Sequence, residues 1–302
     1  MRPSTNLIVL LSAIFVLNTG YQPLESNLNT YDLFTEAPED LVAYDAYRAI
    51  LLENVKYGED KKQVFDIYLP AGRSERFTKV LILLHGGGWV RGDKSKLEGM
   101  VDKMLERYPD HAIVNMNYTL ANAKQFAFPQ QFLDVRAVID HLTKLNENYG
   151  ISPEFGIIGR SAGGHIGLMY DSKYDLNDQV KFVVSVAGPT NFLDPRYSRN
   201  PEFQELQDIL IDNESYSQEN ALKSLSPVYQ VNHNSSPTLL LYGQDDKRVP
   251  LSNANDYTTA LDQANVYNSL RVYSAGHVTS WKPGDWNDAY TNMTTFIEAF
   301  LP

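Results

Sequence analysis

The chain has 302 residues and a formal charge of −11, from 26 Lys and Arg against 37 Asp and Glu. That balance disfavours nucleic acid and anionic membrane surfaces as partners, and the lack of cysteine excludes disulfides and lipid attachment through a thiol. At 43% hydrophobic residues the chain can bury one large core, so an α/β domain of this length need not be divided.

At the N-terminus, Arg2 precedes an apolar stretch from Leu7 to Leu17, followed by Asn18-Thr19-Gly20-Tyr21. A basic start and a short apolar run predict a signal peptide over residues 1–20, cleaved near 18–21. The expectation is an exported protein, periplasmic or extracellular, with no stable membrane association after cleavage. The poor cleavage site leaves an uncleaved anchor as the alternative. Residues 21–52 are expected to form an N-terminal helical segment. There Pro38-Glu39-Asp40 makes an acidic helix start, and Leu41, Tyr44, Ala46, Tyr47, Ile50 and Leu51 populate one apolar face. That helix either packs on the sheet, the favoured reading, or covers the site as a small cap.

From residue 53 to 302 the pattern alternates. Strands are predicted over 64–69, 80–84, 112–117, 155–158, 182–186, 238–242 and 269–273, and helices over about 95–107, 131–148, 162–170, 252–264 and 286–300. Such alternation implies a mostly parallel central sheet with helices on both faces. Residues 188–227 interrupt it, with Phe192, Tyr197, Phe203 and Leu206 among two prolines. The segment is either a cap-like insertion contributing substrate contacts or a surface excursion remote from the site.

Two glycine-rich segments stand at strand ends. Gly159-Arg160-Ser161-Ala162-Gly163 is a G-x-S-x-G pattern between a strand-like and a helix-compatible run. A serine at such a tight turn is strained and exposed, and small residues on either side let strand and helix pass closely. Alone the pattern is a weak signal, equally readable as a glycine-rich helix entry. His85-Gly86-Gly87-Gly88-Trp89 follows the run Val80–Leu84 and strengthens it. Three successive glycines are costly to order, which suggests that backbone approaches something closely. The N–H groups of Gly87, Gly88 and Ala162 are therefore candidate oxyanion donors. His85 reads as a structural hydrogen-bonding residue. Trp89 is expected as a substrate-binding wall, with a plain core role close behind.

A serine hydroxyl needs a base. Of six histidines, His165 sits on the helix behind the elbow, and His111, His141 and His233 lie in unsuitable surroundings. His277 remains, in a loop after the last predicted strand, where open α/β sheets put their chemistry. In this chain order the acid falls between serine and histidine. Asp246, after the run Leu239–Tyr242, is the candidate that orients His277, with Asp245 as the fallback. No His- or Cys-rich cluster has metal-ligand spacing, so no metal and no cofactor is expected.

These segments together resemble the α/β-hydrolase superfamily, in its HGGGW branch of carboxylesterases near hormone-sensitive-lipase-like and carbohydrate-ester esterases. The resemblance rests on Asn54–Gly58 with Phe65–Pro70, on HGGGWVRGDK from His85 to Lys94, on Tyr149-Gly150-Ile151 before the elbow, and on PTLLLYGQDDKRVP from Pro237 to Pro250. The family's aspartate precedes x-x-Val-Pro, which also selects Asp246. It departs at Arg160, where many relatives carry an acidic residue, and after His277. The resemblance implies a serine esterase acting through an acyl-enzyme on short-chain or carbohydrate-linked (acetyl or feruloyl) esters. Alternatives are an amidase or formamidase using the same triad, and a catalytically silent binding protein on a hydrolase scaffold.

Overall fold

The computed structural model describes residues 22–23, 48–210 and 218–302. The expected leader and residues 37–47 of the expected helical segment lie outside the described residues. Among the described residues nine strands form one sheet: β1 (Gln22–Pro23), β2 (Ile50–Lys56), β3 (Val64–Leu69), β4 (Val80–Leu84), β5 (Ala112–Met116), β6 (Phe155–Arg160), β7 (Val180–Val186), β8 (Thr238–Gly243) and β9 (Asn268–Tyr273). Their order across the sheet is β1-β2-β3-β5-β4-β6-β7-β8-β9. β3 runs antiparallel to both neighbours, and β5, β4, β6, β7, β8 and β9 are parallel in succession.

The central strands explain the layering. Every residue of β4 is buried, and its side chains alternate between faces: Val80, Ile82 and Leu84 join one core cluster, Leu81 and Leu83 the other. This is the period-two rule on a strand covered on both sides, which is why it reads as an unbroken apolar run. Each fully buried aliphatic side chain contributes about 1.5–3 kcal/mol. The first core is closed by α2 (Gln130–Lys144), α4 (Ala162–Lys173) and α8 (Leu251–Gln263), the second by α1 (Glu98–Arg107) and α9 (Pro283–Phe300). α3 (Asn146–Tyr149) is one turn that ends on Gly150 in the left-handed region. Among the described residues no helix is long and apolar enough to cross a membrane.

One expectation is corrected. Ile50 and Leu51 belong to β2 rather than to a helix, pairing with Leu69 and Tyr68 of β3 and with Gln22 and Pro23 of β1. The sheet therefore starts before residue 53. β2 is half exposed and irregular: its register with β3 shifts between Leu52 and Val55, with Asn54 at φ 55°. The shift breaks the two-residue alternation that would have marked a strand. Residues 188–227 contain three helices among the described residues, α5 (Pro195–Ser198), α6 (Pro201–Leu210) and α7 (Gln218–Ser224).

β4 has β5 on one side and β6 on the other, so the chain reverses direction across the sheet there. Loops leaving the carboxyl ends of β4 and β6 diverge at that point and open a crevice. The two glycine-rich segments are those loops.

Candidate active site

Ser161 caps α4 immediately after β6, at φ 53° and ψ −117°. A non-glycine residue at this φ is strained, and the fold holds it through Ser161 N–H donating to Val186 O at 2.8 Å. Gly163 makes the turn possible: a Cβ there would sit 2.2 Å from Leu84 O and 2.6 Å from His85 O. The β4 loop thus lies directly against the first turn of α4.

The same contact brings the second glycine segment to the serine. A Cβ on Gly86 would lie 3.3 Å from Ser161 Cβ. Gly87, Gly88 and Trp89 follow with φ of 142°, 61° and 65°. Gly87 admits no side chain, because a Cβ would meet Arg91 O at 1.8 Å. The loop is braced from below. Protonated His85 Nδ1 donates to Gly86 O at 2.8 Å, the His85 ring stacks on Tyr118, and Tyr118 Oη donates to His85 O at 2.8 Å. Burial lowers the pKa of His85 to about 4, which keeps its ring neutral. Ala162 is the first residue of α4, so its N–H has no acceptor within the helix.

Trp89 borders the cleft, but its indole is only 2% exposed. Its Nε1–H donates to His165 Nδ1 at 3.2 Å, and protonated His165 Nε2 donates to Leu225 O at 2.8 Å. Those two bonds fix the His165 tautomer, and burial lowers its pKa to about 4. Trp89 is thus a platform under the loop, more than the substrate wall expected of it. Nothing in the sequence marked His165 as the link between this loop and Leu225.

His277 and Asp246 complete the constellation. His277 Nε2 lies 3.1 Å from Ser161 Oγ, and His277 Nδ1 lies 2.7 Å from Asp246 Oδ2. The Asp246 carboxylate is fully buried and the His277 side chain 13% exposed. Asp246 Oδ1 accepts from Arg248 N at 2.8 Å and Val249 N at 3.0 Å. Both carboxylate oxygens are therefore committed, one to the backbone and one to the imidazole. Asp245 is exposed and takes no part. With Asp246 accepting at Nδ1–H, Nε2 is left bare to take a proton from Ser161.

A cleft of ≈ 460 Å³ opens over Ser161 and His277. Its far wall comes from residues 188–227, through Pro189, Tyr197, Phe203 and Leu206. Tyr197 stacks on Phe192 and Phe203 packs against it at a tilt, and Phe192 meets Trp89 edge-on at 5.6 Å. Residues 188–210 of the interrupting segment therefore line the cleft instead of lying on a remote surface.

The BD-FAE family model matches residues 65–261, well over half of the chain. The chain belongs to the BD-FAE family. It is 24% identical over 248 residues to Esterase LipC of Mycobacterium tuberculosis, covering 76% of this chain and 60% of LipC. It is 31% identical over 150 residues to arylacetamide deacetylase of Oryctolagus cuniculus, covering 45% of this chain and 37% of the deacetylase. The chain thus spans 60% or less of these relatives' lengths. Among solved structures, a truncated carbohydrate esterase from gut microbiota superposes with a TM-score of 0.64 at 22% identity, covering 83% of this chain and 98% of its own. The fold of this BD-FAE member is that of the α/β-hydrolases.

Proposed function

We propose that this BD-FAE member is a serine carboxylic-ester hydrolase that works through an acyl-enzyme. The observation that carries the reading is the unbroken chain from Ser161 Oγ to His277 to buried Asp246, at 3.1 and 2.7 Å. Ser161 Oγ attacks the ester carbonyl carbon while His277 Nε2 accepts its proton. The carbonyl oxygen becomes an oxyanion, held by N–H groups of Gly87, Gly88 and Ala162. Collapse of the tetrahedral adduct breaks the bond to the alkoxy oxygen, which leaves as the alcohol with the proton from His277. Water then loses a proton to His277 and attacks the acyl-enzyme, releasing the acid and restoring Ser161. The names of the relatives support ester cleavage, and that of the gut carbohydrate esterase supports an ester carried on a carbohydrate. Amide cleavage is the second reading, suggested by the arylacetamide deacetylase likeness. The leader expected over residues 1–20 extends the proposal to an exported enzyme, which fractionation of expressing cells tests.

The direct test is a panel running from p-nitrophenyl acetate to longer chains, with acetylated and feruloylated sugars and matched anilides. Wild type should turn over short or sugar esters. Ser161→Ala should lose about 10⁴- to 10⁶-fold. Equal activity of wild type and variant would reject the proposal, and faster anilide than ester turnover would favour the amide reading.

A further inference from the structure

The charge around the cleft opposes that of the chain. Against an overall −11, the charged side chains bordering the cleft among the described residues are Arg91, Lys96, Arg160, Arg248 and a single acid, Glu202. Glu202 is taken, since its Oε2 lies 3.6 Å from Arg248 Nε. Arg91, Lys96 and Arg160 form no ion pair among the described residues.

Arg160 is the informative one. It ends β6, borders the cleft and precedes Ser161 in the chain. Its side chain is partly buried, and among the described residues it has no carboxylate or hydrogen-bond partner and no ring beneath it. Burial lowers its pKa, opposed only by the phenol of Tyr290. A guanidinium withdrawn from water without a counter-charge is destabilising, and folds keep such groups where a ligand supplies the charge. Its planar fork also matches a carboxylate better than any other group on a small ester. Lys96 and Arg91 are exposed, so they add field and steering. The apolar wall of Tyr197, Phe203 and Leu206 leaves this basic side as the one suited to a charged group.

We propose that the ester accepted here carries a free carboxylate that Arg160 binds, with Lys96 and Arg91 attracting it into the cleft. This rests on the esterase reading and narrows it. The carboxylate belongs either to the acid half, as in a half-ester of a dicarboxylic acid, or to the alcohol half, as in an acetylated uronate.

The test compares kcat/KM within matched pairs for the full chain: monoethyl glutarate against ethyl valerate, and acetylated methyl glucuronoside against acetylated methyl glucoside. In wild type the charged member of at least one pair should be preferred by about tenfold or more, and the preferred pair identifies which half bears the charge. Arg160→Gln should lower that charged-to-neutral ratio by about 10- to 100-fold, with Arg160→Lys intermediate. Lys96→Gln, at an exposed position that does not endanger folding, should lower the ratio several-fold, as should roughly 0.5 M salt. Hydrolysis of the neutral esters with no preference in either pair overturns the proposal, as does a preference that survives both substitutions. Failure of wild type on every ester removes the esterase reading and this inference with it.

Discussion

Asp246→Asn separates two accounts of how this carboxylate works. The substitution keeps size and shape. The Asn side-chain oxygen can still accept from Arg248 N and Val249 N, which hold Asp246 Oδ1 at 2.8 and 3.0 Å. The amide NH₂ then faces His277 Nδ1, where a carboxylate oxygen now stands at 2.7 Å. An NH₂ is a donor only, so Nδ1 must become the acceptor and the proton must move to Nε2. Nε2 then donates toward Ser161 Oγ instead of taking its proton. Losing one charge-assisted hydrogen bond alone corresponds to about 1.5–3 kcal/mol, or roughly 10- to 150-fold. Inverting the tautomer adds to this, and the total should reach about 10⁴-fold in kcat, or about 5.5 kcal/mol. The assay is kcat on p-nitrophenyl acetate, with circular dichroism to show an unchanged fold. A loss under about 100-fold would refute the tautomer argument, since the lost charge would then suffice.

The other expectations follow from neighbouring features. Gly87→Ala must displace the loop, because its Cβ would fall 1.8 Å from Arg91 O; kcat should drop by about 10²-fold or more while KM for a small ester moves little. Phe203→Ala opens the apolar wall, so the ratio of long-chain to short-chain ester turnover should change, and an identical chain-length profile would count against contact by residues 188–227. Burial lowers His85, His141 and His165 from 6.5 to about 4, so the unfolded chain binds their protons first and stability is lost as pH falls from 6.5 toward 4. Asp171 acts oppositely: burial raises it from 3.8 to about 7, so its stabilising share is lost as pH rises through that range. Asp171→Asn should therefore gain on wild type by about 3 kcal/mol between pH 5 and 7 in urea unfolding; a pH-independent difference would show that Asp171 does not titrate there.

What the sequence made legible follows burial. β4 was predicted end to end, because a strand covered on both faces is written as continuous apolar residues between turn signals, and β3 was predicted end to end although Asp66 interrupts its apolar run. β2 was misread because it lies near the sheet margin, with its alternation broken at Asn54. Ser161 and His277 were legible because a tight strand-to-helix turn and a loop after the last strand leave few residue types that fit. Asp246 and Asp245 were separable only through resemblance. The physical reason appears in three dimensions, where Arg248 N and Val249 N reach back to Asp246 alone. Partners far along the chain left no trace. The bond from Trp89 to His165 spans 76 residues, so nothing local told a platform from a pocket wall. The unpaired charge of Arg160 is likewise a fact about what is missing around it.

The most direct measurement is reaction of the full chain with a fluorophosphonate, followed by intact-mass and peptide mapping. The account predicts one adduct per chain, on Ser161, formed slowly or not at all when His277 is replaced by Ala. An unmodified chain, or an adduct on another residue, would contradict it.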